Sequence, residues 1–171
     1  KWGGLDFLLV DLPPGTGDEP IAILKSIPDL DGVIIVTTPQ EVSTLVCSKA
    51  INASLTLGAK VIGLIENMSV YNCRCCGDAV HLFGKDKGKQ LARMMDIPFL
   101  GSIPIDPLFS EAADSGVPIV NLHPESITAR AFVEISEILH DQMPPKELPD
   151  APPEESKPCP GAGHHHHHHD K

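Results

Sequence analysis

The chain has 171 residues, 13 Lys+Arg against 23 Asp+Glu, a formal net charge of -10, and only 4% aromatic residues. It lacks the basic footprint of a nucleic-acid binder, would be repelled by an anionic membrane, and with Trp2 and Tyr71 as its sole Trp and Tyr has no stacking platform for single strands. The expectation is therefore no nucleic-acid and no membrane partner. Five cysteines are an odd number, and nothing at the N-terminus resembles a signal peptide or a membrane span, so a reducing, cytoplasmic compartment is expected.

In chain order, the first apolar run, Leu5–Val10, predicts a buried strand ending in Asp11. Leu12-Pro13-Pro14-Gly15-Thr16-Gly17-Asp18 follows, a loop whose stiff proline pair and flexible glycines can hold two positions. Ligands of open α/β sheets sit at the carboxyl ends of strands, so Asp11 can face a magnesium-bound phosphate; such an aspartate can also serve only as a helix cap. The runs Gly32–Val36, Val61–Ile65 and Phe99–Ile103 predict three more strands. Glu41–Leu57 predicts a helix, with Val42, Leu45, Val46, Ala50, Ala53, Leu55 and Leu57 near one stripe and Gly58 as its stop. Helices are also expected over Lys85–Met95, Asp106–Asp114 and Ser126–His140. Repeated β-α-β units imply an α/β domain, a parallel sheet flanked by helices, over residues 1–142. From Met143 the chain turns Pro-rich and acidic, so residues 143–171 read as a disordered tail. The run His164–His169 reads either as a purification tag or as a native metal-storing segment.

Cys73, Arg74, Cys75, Cys76 and Gly77 form a C-x-C-C-G cluster after the third strand. Cys73 and Cys76 make a C-x-x-C pair that suits a soft metal ion or an iron pair. A redox dithiol, a disulfide and half of a structural zinc site remain alternatives. No clear helix follows until about Lys85, which suits a metal loop better than a thioredoxin-type dithiol. One pair gives two ligands where a closed site wants four, and Cys47, Cys75 and Cys159 make no second C-x-x-C. The ligand count points to a second copy of the protein.

Five strings, in order, resemble the Mrp/ApbC group of iron-sulfur cluster carriers within the MinD/ParA-like P-loop ATPases. They are Asp11-Leu-Pro-Pro-Gly-Thr-Gly-Asp18, Val36-Thr-Thr-Pro-Gln-Glu-Val42, Ile65-Glu-Asn-Met-Ser69 with Cys73-x-x-Cys76-Gly77, Phe99-Leu-Gly-Ser-Ile-Pro-Ile-Asp-Pro107, and Asp114-Ser-Gly-x-Pro-Ile-Val120. The resemblance covers roughly residues 3 to 140 and implies an ATP-dependent homodimer. Cys73 and Cys76 of each subunit would share one bridging [4Fe-4S] cluster for transfer to recipient apo iron-sulfur proteins. It also implies Asp11 as the catalytic Walker B carboxylate acting on magnesium-bound water, and Gly15, Thr16, Gly17 and Asp18 as the segment sensing the γ-phosphate. Asn67 would contact the base, and Pro104 and Asp106 would flank the adenine; turn or cap roles are the plain alternatives for Asn67 and Asp106.

The chain departs from that pattern in three places. No G-K-G-G-V-G-K-[ST] phosphate loop is present: Gly84-Lys85 and Gly88-Lys89 lack the preceding strand and the magnesium-binding Ser/Thr. The expectation is a C-terminal part of a longer protein, using Mg-ATP when intact and inactive as an ATPase alone. Val46 stands where many relatives carry aspartate, and Cys75 adds a thiol the usual motif lacks. A non-catalytic zinc-binding or redox-dithiol C-x-x-C module is the alternative function.

Overall fold

A computed structural model describes residues 5–143 apart from Pro14, Thr16, Pro28 and Arg74. Thr16, expected at the γ-phosphate, and the expected tail from residue 144, with Cys159 and the histidine run, lie outside the described residues. The β-branched, non-alternating runs form strands: β1 (Val33–Thr37), β2 (Val61–Asn72) and β4 (Phe99–Ile105), joined late in β2 by the short β3 (Ala79–Val80). β2 is central and pairs in parallel with β1, Val36 opposite Ile65, and with β4, Asn67 opposite Ile103. β3 returns antiparallel to the end of β2, Asn72 opposite Ala79, so the sheet is mixed rather than purely parallel.

The helices are α1 (Asp18–Ser26), α2 (Glu41–Thr56), α3 (Lys87–Met94), α4 (Pro107–Ser115), α5 (Ile119–Leu122) and α6 (Ile127–Gln142). Their ends follow local chemistry. Ser126 caps α6 by accepting the Ala129 N–H, and Asp106 caps α4 by accepting the Leu108 N–H ahead of Pro107. Ile35, Ile51, Leu64, Leu91 and Ala92 form the core between the sheet and α2 and α3, while Ile65, Leu100 and Ile135 form the other core under α6. Leu64 and Ile51 are fully buried, each contributing about 1.5–3 kcal/mol by burial.

Two further sequence expectations are corrected. Leu5–Val10 forms no strand: its side chains are exposed, Leu9 by 82%, and its described ring contact is Phe7 with His140 at 6.4 Å. An apolar run becomes a buried parallel strand only beside a ladder partner with cover on both faces, and among the described residues nothing pairs with it. The inward stripe of α2 is Cys47, Ala50, Ile51 and Ser54. Val42, Leu45, Val46, Leu55 and Leu57 are exposed instead, because the sheet meets the face set by Ile51. Hydrophobicity alone ranked the wrong face.

Candidate metal centre

β2 runs to Asn72, beyond the predicted Ile65, so Asn67 lies within the strand and Cys73 follows its last residue directly. The Cys73 N–H donates to the Asp78 carbonyl (2.9 Å) and the Gly77 N–H to the Cys73 carbonyl (2.8 Å), closing a tight turn into β3. Gly77 takes φ +77, a left-handed conformation that a glycine adopts without strain. The cluster is therefore the tip of a hairpin leaving the carboxyl edge of the parallel sheet.

The tip carries three thiols, Cys73, Cys75 and Cys76. The backbone N–H groups of Cys76 and then Cys75 hold the Cys73 thiol below its ordinary pKa, with the Cys76 thiol adding to this, burial opposing it and the Cys75 thiol adding least. A lowered pKa enriches the thiolate, the form that ligates metals. The Cys76 Sγ donates to Asp78 Oδ2 at 3.1 Å, and both Cys75 and Cys76 are exposed. All four described cysteines are free thiols, so no disulfide occupies the tip. Among the described residues, no group of three or more His, Cys, Asp or Glu side chains is placed to hold a metal ion. The described part of one chain thus offers fewer ligands than a closed site takes. Cys47 is elsewhere, on α2, its thiol 3.5 Å from the Val36 carbonyl.

The other predicted site residues fall into two groups. Asn67 and Pro104 sit together at the carboxyl edge, since Asn67 pairs with Ile103. Asn67 Oδ1 accepts the N–H of Met68, which takes φ +56 where β2 bulges, and Asp106 serves as the α4 cap at 3.0 Å. Asp11 is exposed on the segment before α1, Gly15 has φ +104, Gly17 is the N-cap of α1, and Asp18 lies in its first turn. No described strand pairing ties this second group to the sheet.

Glu66 was missed. It is 2% exposed, and its Oε2 accepts the Gly88 N–H at 2.6 Å, so a carboxylate from β2 caps α3 in place of Asp86, which makes no side-chain cap. A lone acid ending the apolar run from Val61 was the available signal. Burial raises the Glu66 pKa and nearby Asp86 raises it further, against the Gly88 N–H and His81. A raised folded pKa means stability is fully present below the ordinary glutamate range and is lost as pH rises through the folded value. Glu66→Gln keeps an acceptor and removes the titration. Urea midpoints across the acid range should show the variant gaining on the wild type as pH rises, whereas parallel curves would contradict this.

The comparisons match this architecture. A family model described as NUBPL iron-transfer P-loop NTPase matches residues 1–140, and the chain belongs to that ParA-type family. Among relatives, an iron-sulfur cluster carrier protein of Saccharolobus solfataricus is 44% identical over 137 residues, 80% of this chain and 46% of that protein. The iron-sulfur cluster transfer protein NUBPL of Dictyostelium discoideum is 39% identical over 142 residues, covering 83% of this chain and 44% of that protein. A nucleotide-binding protein in complex with ADP from Archaeoglobus fulgidus superposes with TM-score 0.59 at 42% identity, over 67% of this chain and 47% of that one. The cell division ATPase MinD of Pyrococcus furiosus gives TM-score 0.58 at 26% identity, over 77% and 50%. The chain spans about half the length of the curated relatives it matches. No helix among the described residues is long and apolar enough to cross a membrane.

Proposed function

We propose that this chain carries an iron-sulfur cluster on Cys73 and Cys76 and delivers it to recipient apoproteins. The observation that carries the reading is the free C-x-x-C pair on an exposed hairpin tip, with backbone N–H groups favouring the Cys73 thiolate. A thiol-only donor set suits iron and sulfide, and an exposed tip suits exchange. Recipient thiolates replace the Cys73 and Cys76 thiolates at the irons, each departing thiolate regains a proton, and iron keeps its oxidation state. Two ligands per chain favour a [4Fe-4S] cluster shared by a homodimer. The test is reconstitution with iron and sulfide followed by incubation with an apo-ferredoxin. Absorbance near 400 nm moving to the recipient supports the reading. A colourless protein holding stoichiometric zinc opposes it and favours the structural-zinc alternative.

In the intact protein, Mg-ATP would be served by Asp11 as the carboxylate on magnesium, by Gly15, Thr16, Gly17 and Asp18 as the γ-phosphate segment, and by Asn67, Pro104 and Asp106 at the base. The placement of Asn67 and Pro104 on one sheet edge supports the last group. Residues 1–142 would form this unit and 143–171 a tail, in the cytoplasm. Phosphate affinity in this fold class comes mainly from the amides and lysine of a Gly-rich loop, which the sequence lacks. Calorimetry on the 171-residue chain should therefore find MgATP binding weak or absent; micromolar binding would contradict the expectation.

A further inference from the structure

The chain's charge is unevenly spread. Between Arg74 and Arg93 the sequence carries five Lys or Arg against two Asp or Glu, a basic island in a chain of net charge -10. Lys85, Lys89 and Arg93 are exposed; Lys89 and Arg93 stand one turn apart on the outer face of α3, with Lys85 just before the helix. The described ion pairs lie elsewhere, at His123 with Glu111 and Arg130 with Glu125. Apolar side chains flank the basic ones: Leu82 is 58% exposed and Phe83 38% on the segment leaving the hairpin, and Met94 82% at the end of α3.

This surface is held rigidly to the cysteine tip. The Glu66 carboxylate pins the start of α3, the Gly84 backbone packs on the carbonyl of buried Pro39, and His81 Nδ1 lies 3.2 Å from the Ser69 carbonyl. Glu66 is seven residues before Cys73 on β2, so α3 begins roughly 20 Å from the tip. A standard interface of about 800 Å² per partner is roughly 30 Å across and covers both.

We propose that Leu82, Phe83, Lys85, Lys89, Arg93 and Met94 form the docking surface for an acidic recipient protein, which they align with the cysteine tip. The partner class follows from charge: the basic island is complementary to an acidic surface. The partner's role as recipient rests on the proposed cluster-carrier function; the docking itself does not.

The test uses the full chain and an acidic apo-ferredoxin, with binding read by fluorescence anisotropy of the labelled ferredoxin before any cluster is present. Lys85→Glu, Lys89→Glu and Arg93→Glu together should weaken binding at least tenfold at low salt and flatten its salt dependence, while Leu82→Ser should weaken it severalfold without changing the salt slope. An unchanged thermal midpoint confirms that the exposed substitutions leave the fold intact, and Lys85→Gln, Lys89→Gln or Arg93→Gln replaces any reversal that lowers it. Binding and salt dependence equal to wild type in these variants would overturn the proposal. So would charge-dependent binding to duplex DNA or anionic vesicles as tight as to the ferredoxin, which would make the island a general polyanion site. Charge-dependent docking without later cluster transfer would leave this surface standing and remove the carrier reading instead.

Discussion

Cys73→Ser or Cys76→Ser is expected to abolish cluster loading, while Cys75→Ser retains most of it. Serine is a poor ligand for a soft iron-sulfur site, and each substitution spoils half of the ligands its chain offers. The hairpin predicts the asymmetry with Cys75. Its backbone N–H, which survives replacement, supports the Cys73 thiolate, and its thiol contributes least among the groups acting there. The expected readout is iron per chain after anaerobic reconstitution, near background for the first two variants and near wild type for the third. A Cys75 variant that fails while a Cys73 variant still loads would show that the ligating pair had been chosen wrongly. Because these side chains are exposed or half-buried, thermal midpoints of the unloaded proteins should barely move.

The second large effect is expected at Gly84, on the stability of the fold itself. Gly84 has φ +116, and a Cβ there would run into the backbone carbonyl of Pro39, which cannot yield as a flexible side chain can. Valine adds β-branching in a conformation that L residues rarely adopt. Strain and overpacking together should cost about 3 kcal/mol or more, lowering the thermal midpoint by roughly 10 °C. Gly116 is the control: it also has positive φ, at +70, but a Cβ there meets nothing within 4 Å. Gly116→Asn, a residue tolerated in the left-handed region, should cost under about 1 kcal/mol. Equal small losses at both positions would mean that the contact with Pro39 does not hold the segment between the hairpin and α3.

What the sequence made legible follows from which physical signals are local. β-branched runs marked β1, β2 and β4, and Asp106 with Pro107 and Ser126 marked two helix starts within a residue or two, because caps and apolar runs act on the residues that carry them. Leu5–Val10 failed for the opposite reason: whether an apolar run becomes a strand depends on partners far away in sequence. The α2 face failed because Val42 and Leu45 are as apolar as Ile51, and only the position of the sheet decides which are covered. At the site, the C-x-C-C run marked the cysteine cluster, and the antiparallel hairpin that carries it was hidden because β3 is two residues long. The lone acid ending the β2 apolar run marks Glu66 as unusual, but not its partner, since Gly88 is 22 residues away in sequence.

The central claim is that two chains share one cluster through Cys73 and Cys76. Sedimentation velocity on the reconstituted chain, with the histidine run removed and iron measured across the boundary, tests it most directly. Metal binding that bridges two chains is linked to association by mass action. Loading should shift monomer to dimer, with about four irons per dimer, and Cys73→Ser should abolish the shift. A full cluster retained on a strict monomer would contradict it.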